Sequence, residues 1–302
     1  MKKQSLTLLF LINAAVCFSQ GNAGIDFLRR TLKDRGESKH VMVIAHRGDW
    51  RNAPENSLQA FKNCVDRGVD GIEIDVAETK DGELIVIHDR TLNRTTNGSG
   101  TVNEHTLAQI KELRLRGGNN VLTRHKVPTL EETFVLLKGK ALIQVDKWGP
   151  VKDKVLALAK KHDCMEQLIF RSTAKAQEIK NLFGDDLYKV NFIPVITADG
   201  KKDLEKLQDY NENLRFDALG IAFKSQDYLL LKQIPSLQKK GVRIWFNAIL
   251  GDKFNAGYDD DLAVDNPEKA YGFLVGSGAS MIMTDRPFEL IDYLKKHNRR
   301  TN

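Results

Sequence analysis

Two histidines each follow a short apolar run in this sequence, which makes them the first candidates for chemistry. His46 comes directly after Val-Met-Val-Ile-Ala, and His88 comes directly after Leu-Ile-Val-Ile. Histidine exchanges a proton near neutral pH because its unperturbed pKa is about 6.5. Bond cleavage by acid–base catalysis needs a base for the attacking group and an acid for the leaving group, and two histidines suit both tasks.

Two carboxylates, Glu73 and Asp75, alternate with isoleucines in the run Gly71–Val76. If this run is a strand, its alternation places both carboxylates on one face. Burying each of them unpaired costs several kcal/mol, and a divalent cation such as Mg²⁺ or Ca²⁺ would offset that cost with oxygen ligands. The alternative is a pair of solvated acids that face outwards with the isoleucines inside, and this strand alone does not decide between the two.

The elements that would position these residues are short apolar runs separated by helical patterns. Eight such runs predict strands, and helical stretches alternate with them, which is typical of parallel βα units. Eight units predict an α/β chain with a closed (β/α)8 TIM barrel, and an open doubly wound sheet is the alternative. The predicted strands are Val41–His46, Gly71–Val76, Ala141–Asp146, Leu168–Phe170, Phe192–Val195, Ala218–Ala222, Val242–Asn247 and Ser280–Thr284.

One segment is too long for an ordinary connection between a strand and a helix. Residues 89–127 contain a glycine-rich turn at Asn97–Gly100 and a short helical pattern from Thr106 to Leu115. Connections in such units usually have two to six residues. We therefore expect a small insertion at about 89–127, after the second strand region, over one end of the barrel.

An ordered set of motifs in this sequence resembles the glycerophosphodiester phosphodiesterase family. The resemblance covers nearly all of the chain after its N-terminal segment. The motifs are His46-Arg47-Gly48, Ala53–Ser57, Gly71–Val76 with Thr79–Gly82, His88-Asp89, Leu92–Gly98, Val127–Glu132, Gly241–Trp245 and Met283–Pro287.

The resemblance implies a (β/α)8 barrel and a hydrolytic reaction that converts a glycerophosphodiester into glycerol 3-phosphate and an alcohol. It implies that His46 and His88 form the catalytic pair, that Glu73 and Asp75 bind one divalent metal ion, and that Arg47 contacts phosphate. It also implies a route through a cyclic phosphate, because a neighbouring glycerol hydroxyl is well placed to attack phosphorus.

The third strand departs from the family pattern, which ends Glu-x-Lys. Here the strand reads Ile143–Lys147, with a glutamine and an aspartate in place of the single glutamate. We assign Asp146 as the third metal ligand and keep Gln144, on the same face, as the alternative. Lys147 then has the opposite parity in the strand, so its correspondence to the family lysine is open.

Further candidates for substrate contact lie at other strand ends. Trp245 and Asn247 share one face of the seventh strand, and the resemblance implies substrate binding there, with core packing as an equal alternative for the tryptophan. Asn56 is expected to cap the first helix rather than to touch substrate. Arg171 and Lys224 are weaker candidates for anion contacts.

The N-terminus has the pattern of a signal peptide at residues 1–20. Lys2 and Lys3 precede the mostly apolar run Leu6–Val16, which is shorter than a membrane span requires. We therefore expect an exported protein, periplasmic or extracellular, with a catalytic domain at 38–302. Lipid attachment at Cys17 is the alternative, and no later stretch of the sequence predicts a transmembrane segment.

Composition narrows the classes of partner. The chain has 302 residues, of which 41% are hydrophobic and 28% charged, with a formal net charge of +6. No stripe of basic residues with interleaved aromatics occurs, so we expect a small-molecule glycerophosphodiester and no nucleic acid as partner. Cys64 and Cys164 are expected to be small buried side chains rather than a disulfide, and the sequence does not indicate an oligomeric state.

Two alternative functions remain open at this point. The same barrel could cleave an intact phospholipid or a phosphosugar polymer. A non-catalytic exported protein that binds diesters is the second alternative, and the altered third strand is the feature in its favour.

Overall fold

Eight parallel strands form a closed barrel in the computed structural model, which describes residues 24–34, 38–197, 200 and 202–300. The first barrel strand pairs with both the second and the last, which closes the sheet. This confirms the predicted (β/α)8 barrel and all eight predicted strands. The barrel strands are β1 (Met42–Ala45), β2 (Gly71–Glu78), β4 (Leu142–Asp146), β5 (Leu168–Ser172), β6 (Asn191–Thr197), β7 (Ala218–Ala222), β8 (Arg243–Asn247) and β9 (Met281–Thr284), and the short β3 (Leu84–Val86) pairs antiparallel with β2.

Helices connect the strands, as the alternation of the two patterns predicts. The connection after β7 contains a 3₁₀ turn, Leu229–Gln233, followed by α8, and the helix before β9 begins with the π turn Glu268–Gly272. The described helices are α1 (residues 24–33), α2 (Leu58–Asp66), α3 (Leu107–Glu112), α4 (Leu130–Leu137), α5 (Lys152–Lys161), α6 (Ala176–Phe183), α7 (Lys202–Asn213), α8 (Ile234–Lys239), α9 (Asp252–Asn255), α10 (Asp260–Asp265), α11 (Phe273–Gly276) and α12 (Pro287–Lys296).

Side-chain caps fix the starts of the two helices that precede the site residues. Ser57 caps α2 by accepting a hydrogen bond from the backbone N–H of Ala60. Thr129 and Glu132 form a reciprocal capping box at the start of α4. Each cap satisfies backbone donors that have no partner within the helix. The cap of α2 is therefore Ser57, and the expectation that Asn56 caps this helix is wrong.

The barrel has two apolar layers, one outside the strands and one in the lumen. Ile72 and Ile74 of β2 pack outwards with the surrounding helices, whereas Met42, Leu142 and Ile169 pack inside. Helix α1 contributes Ile25, Leu28 and Leu32 to the lumen cluster. This helix therefore closes the end of the barrel at which the strands begin, and the open end carries the residues that follow the strands.

Arg243 joins helix α1 to the barrel from inside. Its guanidinium donates to the backbone oxygens of Thr31 and His40 and to Oδ1 of Asp34. Helix α1 precedes residue 38, where the catalytic domain was predicted to begin. The side chains of α1 and the hydrogen bonds of Arg243 make this helix part of the packed barrel.

The segment 89–127 has a small core of its own over the edge of β2 and β3. It contains the 3₁₀ turn Val102–Glu104 and helix α3, and isolated bridges join Thr96 to Leu115 and Thr91 to Thr101. Its buried apolar side chains are Leu92, Val102, Ile110, Leu115 and Val127, and they pack with Ile85 and Ile87, which precede the segment. This compact packing holds the residues after His88 in place.

Several sequence predictions concern other parts of the chain. The predicted signal peptide at 1–20 and Cys17 lie outside the described residues. Cys64 and Cys164 are buried and free, as predicted. Within the described ranges, none of the helices combines the length and the apolar character that a membrane crossing requires.

Candidate active site

Three carboxylates meet at the open end of the barrel. Glu73 and Asp75 are 2% and 1% exposed, and an oxygen of each lies within 4.8 Å of the others and of an oxygen of Asp146. The strand register explains this grouping, because Asp75 of β2 is the direct neighbour of Asp146 of β4. The two buried acids therefore face the lumen, and the outward-facing alternative does not apply.

The electrostatics of this group favour a hard divalent cation. Burial and the neighbouring carboxylates of Asp75 and Asp146 raise the pKa of Glu73 well above its usual range. Oδ1 of Asp75 is buried without a hydrogen-bond partner among the described residues. Crowded carboxylate oxygens with open lone pairs are the donor set that Mg²⁺ and Ca²⁺ prefer. The residues present therefore fit a divalent metal.

A fourth oxygen-bearing side chain lies beside the three acids. Gln144 is buried on the same face of β4 and is the direct register neighbour of Glu73. Its Oε1 is buried and accepts no hydrogen bond from the described residues. Asp146 completes the group of three acids, and Gln144 adds a neutral oxygen to the same cavity.

Asn56 supports the acidic group instead of capping a helix. Its Nδ2 donates to Oδ2 of Asp75 over 2.8 Å, and its Oδ1 accepts from the backbone N–H of Asp75 over 3.3 Å. Its backbone has a φ of 55°, in the left-handed region, where asparagine is tolerated better than most residues. This conformation turns the side chain of Asn56 towards β2.

Arg47 contacts the acidic group through its backbone and its side chain. Its backbone N–H, at a φ of 55°, donates to Oε2 of Glu73 over 2.8 Å. Its Nη1 donates to Glu55 over 3.1 Å, and its Nε lies 3.5 Å from Oδ2 of Asp75. The predicted phosphate contact therefore lies at the site, with its guanidinium engaged by two carboxylates.

His46 is held by the carboxylate of Asp285, the residue that follows the last barrel strand. Its Nδ1 lies 2.7 Å from Oδ1 of Asp285, and the indole N–H of Trp50 donates to the same oxygen over 2.7 Å. Although burial acts to raise it, these hydrogen bonds hold the pKa of Asp285 below its usual range. Asp285 is therefore an ionised acceptor, and Nδ1 of His46 carries the hydrogen.

His88 is held by the carboxylate that follows it in sequence. Its Nδ1 lies 2.6 Å from Oδ1 of Asp89. Hydrogen bonds from Arg94, and from His88 itself, hold the pKa of Asp89 well below its usual range. Arg94 also donates to both carboxylate oxygens of Glu55. A chain of ion pairs therefore runs from His88 to Glu55 and on to Arg47.

Lys147 reaches the site in spite of its parity in the strand. The strand β4 ends at Asp146, and Lys147 has a left-handed backbone with a φ of 56°. Its Nζ lies 3.5 Å from Oδ1 of Asp75 and donates to the backbone oxygen of His88. The parity argument is wrong here because Lys147 lies just after the end of the strand, where the alternation of faces no longer applies. Lys147 also places His88 beside the acidic group.

Asp260 is a site-supporting residue that sequence reasoning missed. It begins α10 and is buried, and it accepts hydrogen bonds from the hydroxyls of Tyr271 and Thr284 and from the backbone N–H of Asp285 over 2.8, 2.6 and 2.6 Å. Burial raises the pKa of Asp260 to about 7. The sequence before α10 carries no motif that indicates this contact.

Trp245 and Asn247 lie inside the barrel, as their shared parity predicted. Trp245 is 0% exposed, and its indole N–H donates to Oδ1 of Asn247 over 2.8 Å. The guanidinium of Arg171 lies over the indole ring at 4.3 Å from its centroid. The tryptophan therefore packs in the lumen cluster and contacts Arg171.

Comparisons with known proteins agree with the geometry. Residues 46–189 match the model of the glycerophosphoryl diester phosphodiesterase family, and residues 192–294 match a model described as a domain of unknown function. A glycerophosphodiester phosphodiesterase from Caldanaerobacter subterraneus subsp. tengcongensis is 41% identical over 141 residues, which are 44% of this chain and 58% of that protein. The chain spans a little over half the length of the curated relatives it matches.

Solved structures share the fold. A glycerophosphoryl diester phosphodiesterase from Parabacteroides distasonis has a TM-score of 0.74 and 22% identity over 90% of this chain and 92% of its own. A phosphodiesterase from Oleispira antarctica, solved with the product sn-glycerol-3-phosphate, has a TM-score of 0.60 and 22% identity over 84% of this chain and 96% of its own. Residues 46–189, which contain both histidines and all three acids, are therefore the part of the chain that is similar to the glycerophosphoryl diester phosphodiesterase family.

Proposed function

We propose that this protein is a metal-dependent phosphodiesterase that hydrolyses glycerophosphodiesters to glycerol 3-phosphate and an alcohol. The observation that carries the proposal is the pairing of two carboxylate-held histidines with three convergent acids. Arg47, the residue after His46, donates its backbone N–H to Glu73. Lys147, which lies beside Asp75, donates to the backbone oxygen of His88. The family match of residues 46–189 supports the same reaction class.

The two histidines are suited to proton exchange at one defined nitrogen each. Asp285 and Asp89 are acceptors, so Nδ1 of His46 and of His88 carries a hydrogen in each case. Nε2 is then the nitrogen that accepts or donates a proton in the reaction. The carboxylate partner fixes the ring orientation and stabilises the charged ring when it forms.

Glu73, Asp75 and Asp146 would hold one divalent ion, Mg²⁺ or Ca²⁺. When bound, such an ion would offset the negative charge that builds on the phosphoryl oxygens. Arg47 and Lys147 add positive charge at the same site. Asn56 fixes the orientation of one ligand carboxylate through its two hydrogen bonds with Asp75.

The chemistry proceeds in two steps through these histidines. In the first, one histidine accepts the proton of the adjacent glycerol hydroxyl as that oxygen bonds to phosphorus, and the other donates a proton to the departing alkoxide. In the second, water opens the cyclic phosphate and the two proton transfers reverse. The adjacent hydroxyl favours this route because it is already positioned next to phosphorus.

The product of one structural relative supports this substrate class. The Oleispira antarctica phosphodiesterase was solved with sn-glycerol-3-phosphate as its product. We infer the same product for this chain from the shared fold and the family match. The predicted signal peptide at residues 1–20 leads us to propose further that the protein acts outside the cytoplasm.

Release of glycerol 3-phosphate from soluble diesters tests the proposal. Glycerophosphocholine and glycerophosphoethanolamine are incubated with the protein in Mg²⁺ or Ca²⁺, with and without EDTA, beside liposomes of intact phospholipid. We expect release from the soluble diesters that EDTA abolishes. Hydrolysis of the liposomes alone would move the substrate class to phospholipids, and tight diester binding without turnover would favour the non-catalytic alternative.

A further inference from the structure

Arg171 extends the polar part of the barrel lumen beyond the acidic group. It follows Ile169, which packs in the lumen, and Phe170, which packs outside, so its parity directs it inwards. It lies one residue beyond the Val145–Phe170 register pair, which makes it the neighbour of Asp146 on the next strand. The positively charged side chain of Arg171 therefore lies in the barrel lumen beside Asp146, a candidate metal ligand.

Residues of two other strands, β7 and β8, contact the guanidinium of Arg171 and fix its position. It lies over the ring of Trp245, 4.3 Å from the centroid, and the hydrogen bond from Trp245 to Asn247 fixes that ring. On β7, Gly220 leaves room for it, because a Cβ there would lie 3.1 Å from Nη2 of Arg171 and 3.0 Å from Val195. Stacking on an aromatic face orients the guanidinium and leaves its N–H edges for hydrogen bonding.

Nothing in the described part of the chain occupies those N–H groups. Nε of Arg171 is buried without a hydrogen-bond partner. Among the ion pairs of the described residues, Arg171 takes part in none, whereas Arg47 and Lys147 are both engaged by carboxylates. Burial lowers the pKa of Arg171 to about 10, which leaves it charged at neutral pH. A half-buried guanidinium without a partner is costly unless a ligand supplies the acceptor.

We propose that Arg171 binds an anionic oxygen of the substrate, namely a non-bridging phosphoryl oxygen in the lumen. This proposal rests on the proposed function, and it assigns to Trp245 and Gly220 the task of positioning the guanidinium. Glu73 and Asp146 attract the arginine electrostatically but lie beyond ion-pair distance, so its N–H edges remain for the ligand. Guanidinium groups bind phosphate oxygens through charge-assisted and often bidentate hydrogen bonds.

Equilibrium binding of inorganic phosphate to the metal-loaded protein tests this, with calorimetry as the measurement. Arg171→Gln should weaken phosphate binding roughly ten- to a hundred-fold, the loss of a charged hydrogen bond. Arg171→Lys keeps the charge but loses the forked geometry of the guanidinium. Its affinity for phosphate should therefore lie between those of wild type and Arg171→Gln. Gly220→Ala keeps the arginine and displaces it, and it should weaken binding in the same direction.

A control variant separates this contact from the general charge of the site. Lys175 is exposed near the same end of β5, and Lys175→Gln removes one positive charge there without touching Trp245. It should leave phosphate binding within about twofold of wild type. Affinity for the divalent metal gives a second readout, because loss of Arg171 leaves the three acids more negative. Arg171→Gln should therefore keep or strengthen metal binding, whereas a damaged barrel would weaken it.

The outcomes separate this inference from the proposed function. Weaker phosphate binding with unimpaired metal binding supports the role of Arg171, even if no diester is hydrolysed, in which case only the proposed function fails. Phosphate binding at wild-type strength in Arg171→Gln overturns the inference, whether or not diesters are hydrolysed. A joint loss of metal and phosphate binding in both Arg171→Gln and Gly220→Ala also overturns it, because it assigns the arginine to barrel structure.

Discussion

Nδ1 of His46 lies 2.7 Å from Oδ1 of Asp285, although 239 positions separate the two residues in sequence. The contact exists because β1 and β9 are neighbours where the barrel closes, and the backbone N–H of His46 donates to Thr284. The other histidine takes its carboxylate from the adjacent residue, Asp89. The orientation of His46 therefore depends on closure of the barrel, whereas that of His88 is local.

Replacement of Asp285 by Asn should lower kcat by about 100-fold with little change in KM. The amide has no charge to stabilise the protonated ring of His46, and its N–H can donate to Nδ1 and so favour the other tautomer. Proton-transfer catalysis contributes roughly 100- to 10,000-fold. Trp50→Phe is the matched control, since it removes the other hydrogen bond to the same oxygen of Asp285. Steady-state kinetics on glycerophosphocholine measure both, and wild-type kcat in Asp285→Asn would show that this contact is structural.

The third metal ligand is tested by a pair of substitutions in β4. Asp146→Asn should weaken metal binding more than tenfold, because it removes one of the three anionic oxygen donors. Gln144→Met should change metal affinity by no more than about threefold. It should not destabilise the protein, because it replaces a buried oxygen that has no partner with an apolar group of similar size. Calorimetric titration with Mg²⁺ and Ca²⁺ measures the affinities, and the reverse order would make Gln144 the ligand.

Asn56 is predicted to act through Asp75, and two substitutions separate its side chain from its backbone. Asn56→Gly and Asn56→Ala both remove the hydrogen bonds to Asp75 and should weaken metal binding to the same extent. Only alanine resists the left-handed φ of 55°, at a cost of roughly 1 to 2 kcal/mol. Thermal unfolding should therefore give a lower Tm for Asn56→Ala than for Asn56→Gly, and equal Tm values would contradict the backbone argument.

Asp260 should make the protein less stable as pH rises towards neutrality. Its folded pKa of about 7 is raised from 3.8, so between these values the folded state binds more protons than the unfolded state. The free energy of unfolding then falls with rising pH, by at most about 4 kcal/mol for a shift of this size. Asp260→Asn lacks this titration, so the stability of the variant relative to wild type should rise from pH 4 to pH 8.

Denaturant unfolding at several pH values measures this difference. Asp261→Asn is the control, because Asp261 lies on the same short helix and is exposed. Its stability relative to wild type should stay nearly constant over the same range. A flat difference for Asp260→Asn as well would mean that Asp260 has the same pKa in the folded and unfolded states.

The barrel and the acidic group could be predicted from sequence because their signals are local. The alternation of Glu73 and Asp75 with isoleucines fixes one shared face, and the apolar runs place the strands. Parity also placed Asp146 on the face that the structure brings to the other two acids. These inferences need only the period of a strand and the order of the elements.

The rest of the site depends on backbone turns and long-range contacts that no local pattern encodes. Lys147 and Asn56 reach Asp75 through left-handed backbones, and neither residue is a glycine that would have indicated such a turn. Asp260 meets Asp285 only when α10 packs against the end of β9. Helix α1 closes the barrel from a segment that precedes the first strand, and its short pattern carried no such signal.

If His46 and His88 exchange the protons of diester cleavage, the single-turnover rate of glycerol 3-phosphate release depends on both side chains. The measurement compares metal-loaded wild type with His46→Ala and His88→Ala, with metal affinity and Tm recorded for each variant. We expect each variant to retain metal binding and its fold while its rate falls at least 100-fold. A wild-type rate in either variant would contradict the two-histidine mechanism.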